Sequence, residues 1–290
     1  MLLRPECIPC LVSQALRTVN VAGVEAGRRL EALRRALLSM AGVGWASEPP
    51  VVYFRVFKEL RRALGVDDPY RREKERCDAE ASRVLDRLRP AVESLQDPFY
   101  GVVKLSIAGN MIDFGALESF NVEKALSEAL RRRLAIDHYG LLRRALERAR
   151  SLMLILDNAG ESVLDKALLE EALSRFGIER AVVVVREEPF INDVTLEDAR
   201  RIGIDSIPGV EIWEMPVDYD RFTEYSSRGV FRRWFEGVDV VIAKGQGNYE
   251  IFSRYRGVFF ALVSKCRPVA DSLGTAAGDM ILLGREATAR

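Results

Sequence analysis

One histidine in 290 residues is the sharpest shortage in this sequence. It excludes multi-histidine zinc sites, and any Ser-His-Asp triad would have to rest on His138 alone. No GxSxG-type nucleophile turn accompanies that residue, which lies in Ala135-Ile136-Asp137-His138-Tyr139-Gly140 between two helical patterns and reads as a loop or helix-end residue. Cysteine is nearly as scarce, with four in the chain, too few for a disulfide scaffold at this length. No apolar run approaches the roughly 18–20 residues of a membrane span. The longest candidates, such as Gly257–Val263, suit buried strands. The opening Met1–Cys10 has no cationic start followed by an apolar stretch, so no export signal is read, no membrane is expected as a partner, and a reducing cytoplasm is the expected location. Net charge is missing too: Lys+Arg and Asp+Glu stand at 43 each. The basic domain or stripe of a nucleic-acid binder is therefore absent. Arg131-Arg132-Arg133 and Arg143-Arg144 lie among acids on helical patterns and read as solvated faces. Chemistry is left to carboxylates, amides, Lys, Arg or Cys.

What is present is an ordinary globular composition, 48% hydrophobic and 30% charged, long enough for one large α/β domain or two unequal ones. Residues 1–149 read as a helical region. Arg28–Ala41, Arg72–Leu95 and Val122–Leu134 repeat apolar residues at three- and four-residue intervals, with breaks at Gly42–Pro50, Gly65–Pro69 and Asp97–Pro98. From 150 to 290 the texture changes to short β-branched runs separated by helical patterns: Leu152–Leu156, Ala181–Val185, Val210–Trp213, Val238–Ala243, Val258–Val263 and a final Met280–Leu283. Continuous apolar runs of this length mark strands covered on both faces. The expected fold is a doubly wound, mostly parallel α/β sheet, with the helical region packed against it or over its edge.

In open parallel sheets, ligands bind beyond the carboxyl ends of the strands. Three of these runs end in chemistry-bearing residues. Asp157-Asn158-Ala159-Gly160-Glu161 follows the first, Ile191-Asn192-Asp193-Val194-Thr195 the second, and Lys244-Gly245-Gln246-Gly247-Asn248-Tyr249-Glu250 the fourth. Asp157, Asn158 and Asp193 are hard oxygen donors, suited to Mg²⁺ or Mn²⁺. Lys244 and the glycines beside it offer a cation and a backbone open to close approach by an anion, and only seven lysines occur in the chain. The turn at Gly160 aims helix amides at the same space. Each motif alone also reads as a helix cap or turn; their joint placement on one rim points to a phosphate site. Ala108-Gly109-Asn110-Met111-Ile112-Asp113-Phe114-Gly115 interrupts a helical pattern, so Asn110 and Asp113 are candidates to reach the rim from the helical side. Cys7-Ile8-Pro9-Cys10 is a single CxxC opening a helix. It reads as a buried pair or as a redox or metal motif, and lacks the further ligands of a structural zinc site.

Taken in order, CxxC, GNxIDFG, DNAGE, PxINDVTxxDA and KGQGNYE resemble the DUF89 family of damage-control phosphatases, in its prokaryotic stand-alone branch. The resemblance runs from Cys7 to Lys265–Ala270. It implies an α/β core with a helical amino-terminal part and a divalent metal cofactor, Mn²⁺, Mg²⁺, Co²⁺ or Ni²⁺. Activity on small phosphometabolites, such as sugar phosphates or damaged cofactor intermediates, is also implied. Metal ligands would be Asp157, Asn158 and Asp193; phosphate contacts would include Lys244 and Asn110, with Gly245, Asn248, Glu161, Asn192 and Asp198 inside matching motifs. Asp78 departs from the pattern, which has Asn four residues after Lys74.

The expected reaction is metal-assisted, in-line attack of water on a phosphomonoester, with Asp157, Asp193 and Lys244 as the catalytic set. Two other classes fit the same sheet: an S-adenosylmethionine-dependent carboxyl methyltransferase and a non-catalytic metabolite-binding protein. The first wants a glycine-rich loop after the first strand, where this chain has a single glycine; the second has no use for clustered metal ligands.

Overall fold

The structure, a computed structural model, describes residues 1–44, 46–110 and 122–285. Its first part is helical: α1 (Cys7–Val21), α2 (Ala26–Ala41), α3 (Pro49–Leu64), α4 (Arg71–Glu93), α5 (Pro98–Gly109) and α6 (Val122–Arg131). A short strand β1 (Ile136–Asp137) and helix α7 (Tyr139–Leu146) follow. Strand and helix then alternate: β2 (Ser151–Ile155), α8 (Glu161–Phe176), β3 (Arg180–Arg186), α9 (Leu196–Arg201), β4 (Val210–Met215), α10 (Tyr219–Ser227) and α11 (Val230–Glu236). The chain closes with β5 (Val240–Lys244), α12 (Gly245–Phe252), β6 (Val258–Val263), α13 (Arg267–Leu273) and β7 (Met280–Gly284).

The strands form one sheet in the order β1-β7-β6-β5-β2-β3-β4. All pairings are parallel except β6 with β7, which run antiparallel. The period-2 alternation of strand side chains sorts the core into two layers. Leu152, Leu154, Val183 and Ile242 face α4 to α8, while Met153, Ile155, Val184 and Val241 face α1 to α3 and α10 to α13. The helices of residues 1–149 therefore cover both faces of the sheet, and their apolar stripes share a core with its strands. Residues 136–137 also join the sheet. The helical part is thus folded into the α/β body, with no core of its own among the described residues. No described helix is long and apolar enough to cross a membrane.

From β2 the chain winds outward through β3 to β4, then returns to place β5 on the other side of β2. The winding reverses at the carboxyl ends of β2 and β5, the position where open α/β sheets bind ligands.

Candidate active site

Asp157 follows β2 at that reversal. Its backbone carbonyl accepts from Val194 N at 2.9 Å, Ala159 N donates to Asn192 O at 2.9 Å, and Asn158 bridges Asp193. The two acid-bearing loops are thereby stitched together by main-chain bonds, with Asp157 and Asp193 side by side. Phe190 anchors the second loop, packing edge-on against Phe54 at 4.8 Å and Phe57 at 5.4 Å between ring centroids. Just before Asn192 and Asp193, Ile191 holds φ at +50°, a conformation β-branched side chains resist. Such strain persists only where its surroundings impose it.

Gly245 brings the third strand end in. Its φ is +74°, and a Cβ there would lie 1.8 Å from Asp157 Oδ2. The Asp157 carboxylate thus rests on the first residue of α12, where only glycine fits, and the amino end of that helix opens beside it. On the helical side, Asn110 caps α5 and is buried. Its Nδ2 donates to Asp157 Oδ2 at 2.9 Å and Glu161 Oε2 at 2.8 Å, while Asn158 Nδ2 reaches the same Asp157 oxygen at 2.8 Å. Asn110 Oδ1 is a buried oxygen without a hydrogen-bond partner among the described residues. Asp113 and the rest of its motif lie outside the described residues.

Beneath this rim the placement differs from the sequence expectation. Lys244 was expected to meet phosphate; its side chain is fully buried, with Nζ 2.7 Å from Ser106 O, 3.1 Å from Asp165 Oδ1 and 3.2 Å from Glu161 Oε1. These oxygens enclose the ammonium, which neutralises a buried acid pair. Asn248 is equally enclosed: Nδ2 donates to Leu156 O and Lys244 O, and Oδ1 accepts from Arg186 Nη2 at 3.1 Å. Both of its amide protons are used, so it ties the ends of β2 and β5 together and leaves none for a substrate. Glu161, also completely buried, orients the amides of Asn110 and Asn158. Asp198 forms a capping box with Thr195 at the start of α9.

Several partners were not foreseen from the sequence. Arg186, at the end of β3, donates through Nε to Asp193 Oδ2 at 2.7 Å. Asp165 sits one helical turn beyond Glu161 and accepts from Ser106 Oγ at 2.6 Å; its i, i+4 spacing from Glu161 was the available signal. Lys265, in the segment after β6, is exposed and its charge is felt by both Asp157 and Asp193.

The electrostatics follow from this crowding. Burial, then the charges of Asp193 and Glu161, hold the Asp157 carboxyl well above the usual carboxylate range. Burial also raises Asp193, against the pull of Arg186. Asp165 is pushed up to about 7 by burial despite Lys244. For Lys244, burial works against the ammonium, and Asp165 with Glu161 outweighs it, leaving its pKa raised. In all, four buried acids (Asp157, Glu161, Asp165, Asp193) face two buried cations, Arg186 and Lys244.

That imbalance suits a divalent cation. Among the described residues no three His, Cys, Asp or Glu side chains are spaced to hold a metal ion. A cation here would rest on two carboxylates with the Asn158 amide as third donor, and Asn110 Oδ1 is a spare oxygen beside them. Few protein ligands, all oxygen, is the donor set of Mg²⁺-like sites that keep water and phosphate as the remaining ligands.

The chain is 31% identical to a damage-control phosphatase of Pyrococcus horikoshii, covering 96% of each chain. It is 30% identical to a damage-control phosphatase of Archaeoglobus fulgidus, over 97% of this chain and 98% of that one. An uncharacterized protein of Methanocaldococcus jannaschii is 31% identical over 98% of this chain and 95% of its own. The crystal structure of a DUF89 family protein from Pyrococcus horikoshii superposes with a TM-score of 0.84 at 28% identity, covering 99% of this chain and all of that one. The family model of the damage-control phosphatase ARMT1-like domain matches residues 3–281, and the chain belongs to that family.

Proposed function

We propose that this protein is a cytoplasmic phosphatase that hydrolyses small phosphorylated metabolites and depends on a divalent cation held by Asp157, Asn158 and Asp193. The observation that carries the reading is the paired placement of Asp157 and Asp193 in a buried cluster whose acids outnumber its cations. The names of the Pyrococcus and Archaeoglobus relatives support phosphatase chemistry.

Bound at these donors, the cation supplies Lewis-acid neutralisation of phosphoryl charge. The chain's own residues supply the rest. Asn110 fixes the Asp157 and Glu161 carboxylates by donating to both. The amino end of α12, brought against Asp157 by Gly245, offers unpaired amides to phosphate oxygens. Lys265, exposed just after β6, is the cation assigned to the phosphate, while Lys244 offsets the charge of the buried acids below. Hydrolysis is then in-line attack of water on phosphorus, with the alcohol leaving opposite.

The test is p-nitrophenyl phosphate hydrolysis by metal-stripped protein, with and without added Mn²⁺. Mn²⁺ is expected to switch on nitrophenol release in the parent and not in Asp157→Asn or Asp193→Asn. Release of equal rate without metal, or in either variant, overturns the assignment. A methyltransferase or a simple binding protein would release nothing under any of these conditions.

A further inference from the structure

The two acid-bearing loops are joined to each other by main-chain bonds, but something must also hold them against the body of the protein. The structure places one turn of α4 across both. Lys74 and Asp78 are i, i+4 neighbours and so share a face; both are buried. Asp78 Oδ1 accepts from Gly160 N at 2.6 Å. Gly160, with φ at +81°, is the N-cap of α8, the hinge between Asp157-Asn158 and Glu161. Lys74 Nζ donates to Asp198 Oδ2 at 2.5 Å, and that same oxygen accepts from Thr195 N and Oγ1, two residues beyond Asp193. Asp68 lies 2.7 Å from Lys74 on the other side. Arg201 closes the circuit, 2.6 Å from Asp78 Oδ2 and 2.8 Å from Asp198 Oδ1.

We propose that Lys74 and Asp78 are positioning residues that set the separation of the two acid loops, and that Asp78 works through its acceptor oxygen on the Gly160 N–H. This inference rests on the phosphatase reading for its effect on turnover, but the clamp itself stands on the contacts above. The chemistry explains why an acid occupies this place. What the α8 cap needs is a carbonyl-like oxygen at 2.6 Å, which Asp and Asn both offer. The extra charge of Asp is taken up by Arg201, which keeps Asp198 as a partner when Asp78 is neutral.

Asp78→Ala and Asp78→Asn separate the acceptor from the charge. Three readouts apply to each variant and the parent: amide hydrogen exchange over residues 158–162 and 193–198, Mn²⁺ affinity by calorimetry, and Mn²⁺-dependent p-nitrophenyl phosphate turnover. Asp78→Ala should speed exchange at 158–162 by at least about tenfold. It should also weaken Mn²⁺ binding and turnover by about 10- to 100-fold, the usual cost of losing an outer support of a metal ligand. Asp78→Asn should stay within about fivefold of the parent on all three, since one charge-assisted bond is exchanged for a neutral one. Parental exchange and turnover in Asp78→Ala would overturn the proposal, as would equal damage in Asp78→Asn. Should Asp78→Ala not fold, Asp78→Asn decides alone: near-parental protection supports the acceptor role, and loss of protection overturns it. A parent that shows no Mn²⁺-triggered turnover would remove the phosphatase reading, while the exchange data would still test the clamp.

Discussion

The rim and the layer beneath it contain the same residue types and behave as opposites. Beneath the rim, Lys244 sits amid Glu161, Asp165 and Ser106 O, and Asp198 is held by Lys74 and Arg201. At the rim, Asp157 lies beside Asp193 and shares two amide donors with Glu161; Arg186 pairs with Asp193, while Asp157 has no cation within ion-pair distance among the described residues. Stability is built where charges are matched. Function is expected where acids outnumber cations, because two acids sharing one arginine can bind a further cation that a fully matched pair would reject.

The comparison breaks most easily at its two lysines. Lys244→Met should leave Glu161 and Asp165 buried without their cation and cost about 3–5 kcal/mol of stability, read as a drop in the urea midpoint. Lys265→Ala removes an exposed ammonium, so its stability should be unchanged. Its KM for p-nitrophenyl phosphate should rise by about tenfold, on the order of a charge-assisted contact. If the two variants exchange these effects, the assignment of the lower lysine as structural and the upper as functional is wrong.

Gly245→Ala sharpens the contact between the two layers. A methyl group there would collide with the Asp157 carboxylate and strain the backbone at φ +74°. Loss of turnover by on the order of 10²-fold is expected, with a stability cost of about 1–3 kcal/mol in thermal unfolding.

A further effect concerns Glu250, a buried acid on α12 raised to about 7 by burial. Its ordinary value is about 4.3. Between these values the folded state holds a proton that the unfolded state has lost, so this residue lowers stability as pH rises from about 4 to about 7. Glu250→Gln cannot titrate and should flatten that part of the profile, gaining on the order of 2 kcal/mol over the parent between pH 4 and pH 8. Thermal unfolding across this range checks it; an unchanged slope would place the titration elsewhere.

Much of this was readable in the sequence because strands and their ends are local. Apolar runs located six strands within two residues of their bounds, and the residues past their ends include Asp157, Asn158, Asp193 and Gly245. What was not readable depends on direction and distance. Nothing local tells that Lys244 points down into the body, that Arg186 in a charged Arg-Glu-Glu run turns inward to Asp193, or that β7 runs antiparallel to β6. Asp165, Ser106 and Asp78 gained their roles only when α4, α5 and α8 packed together. The family pattern has Asn where this chain has Asp78; in the structure that aspartate is an acceptor with its own counter-ion.

The most direct measurement is thermal unfolding of metal-stripped protein titrated with Mn²⁺, in the parent and in Asp157→Asn. The parent's midpoint should climb with Mn²⁺ in the manner of a ligand bound only by the folded state. Asp157→Asn should start at or above the metal-free parent, freed of acid–acid repulsion, and should not respond. A parent indifferent to Mn²⁺, or a variant that responds equally, would contradict the view that the unpaired Asp157, beside Asp193, forms a cation site.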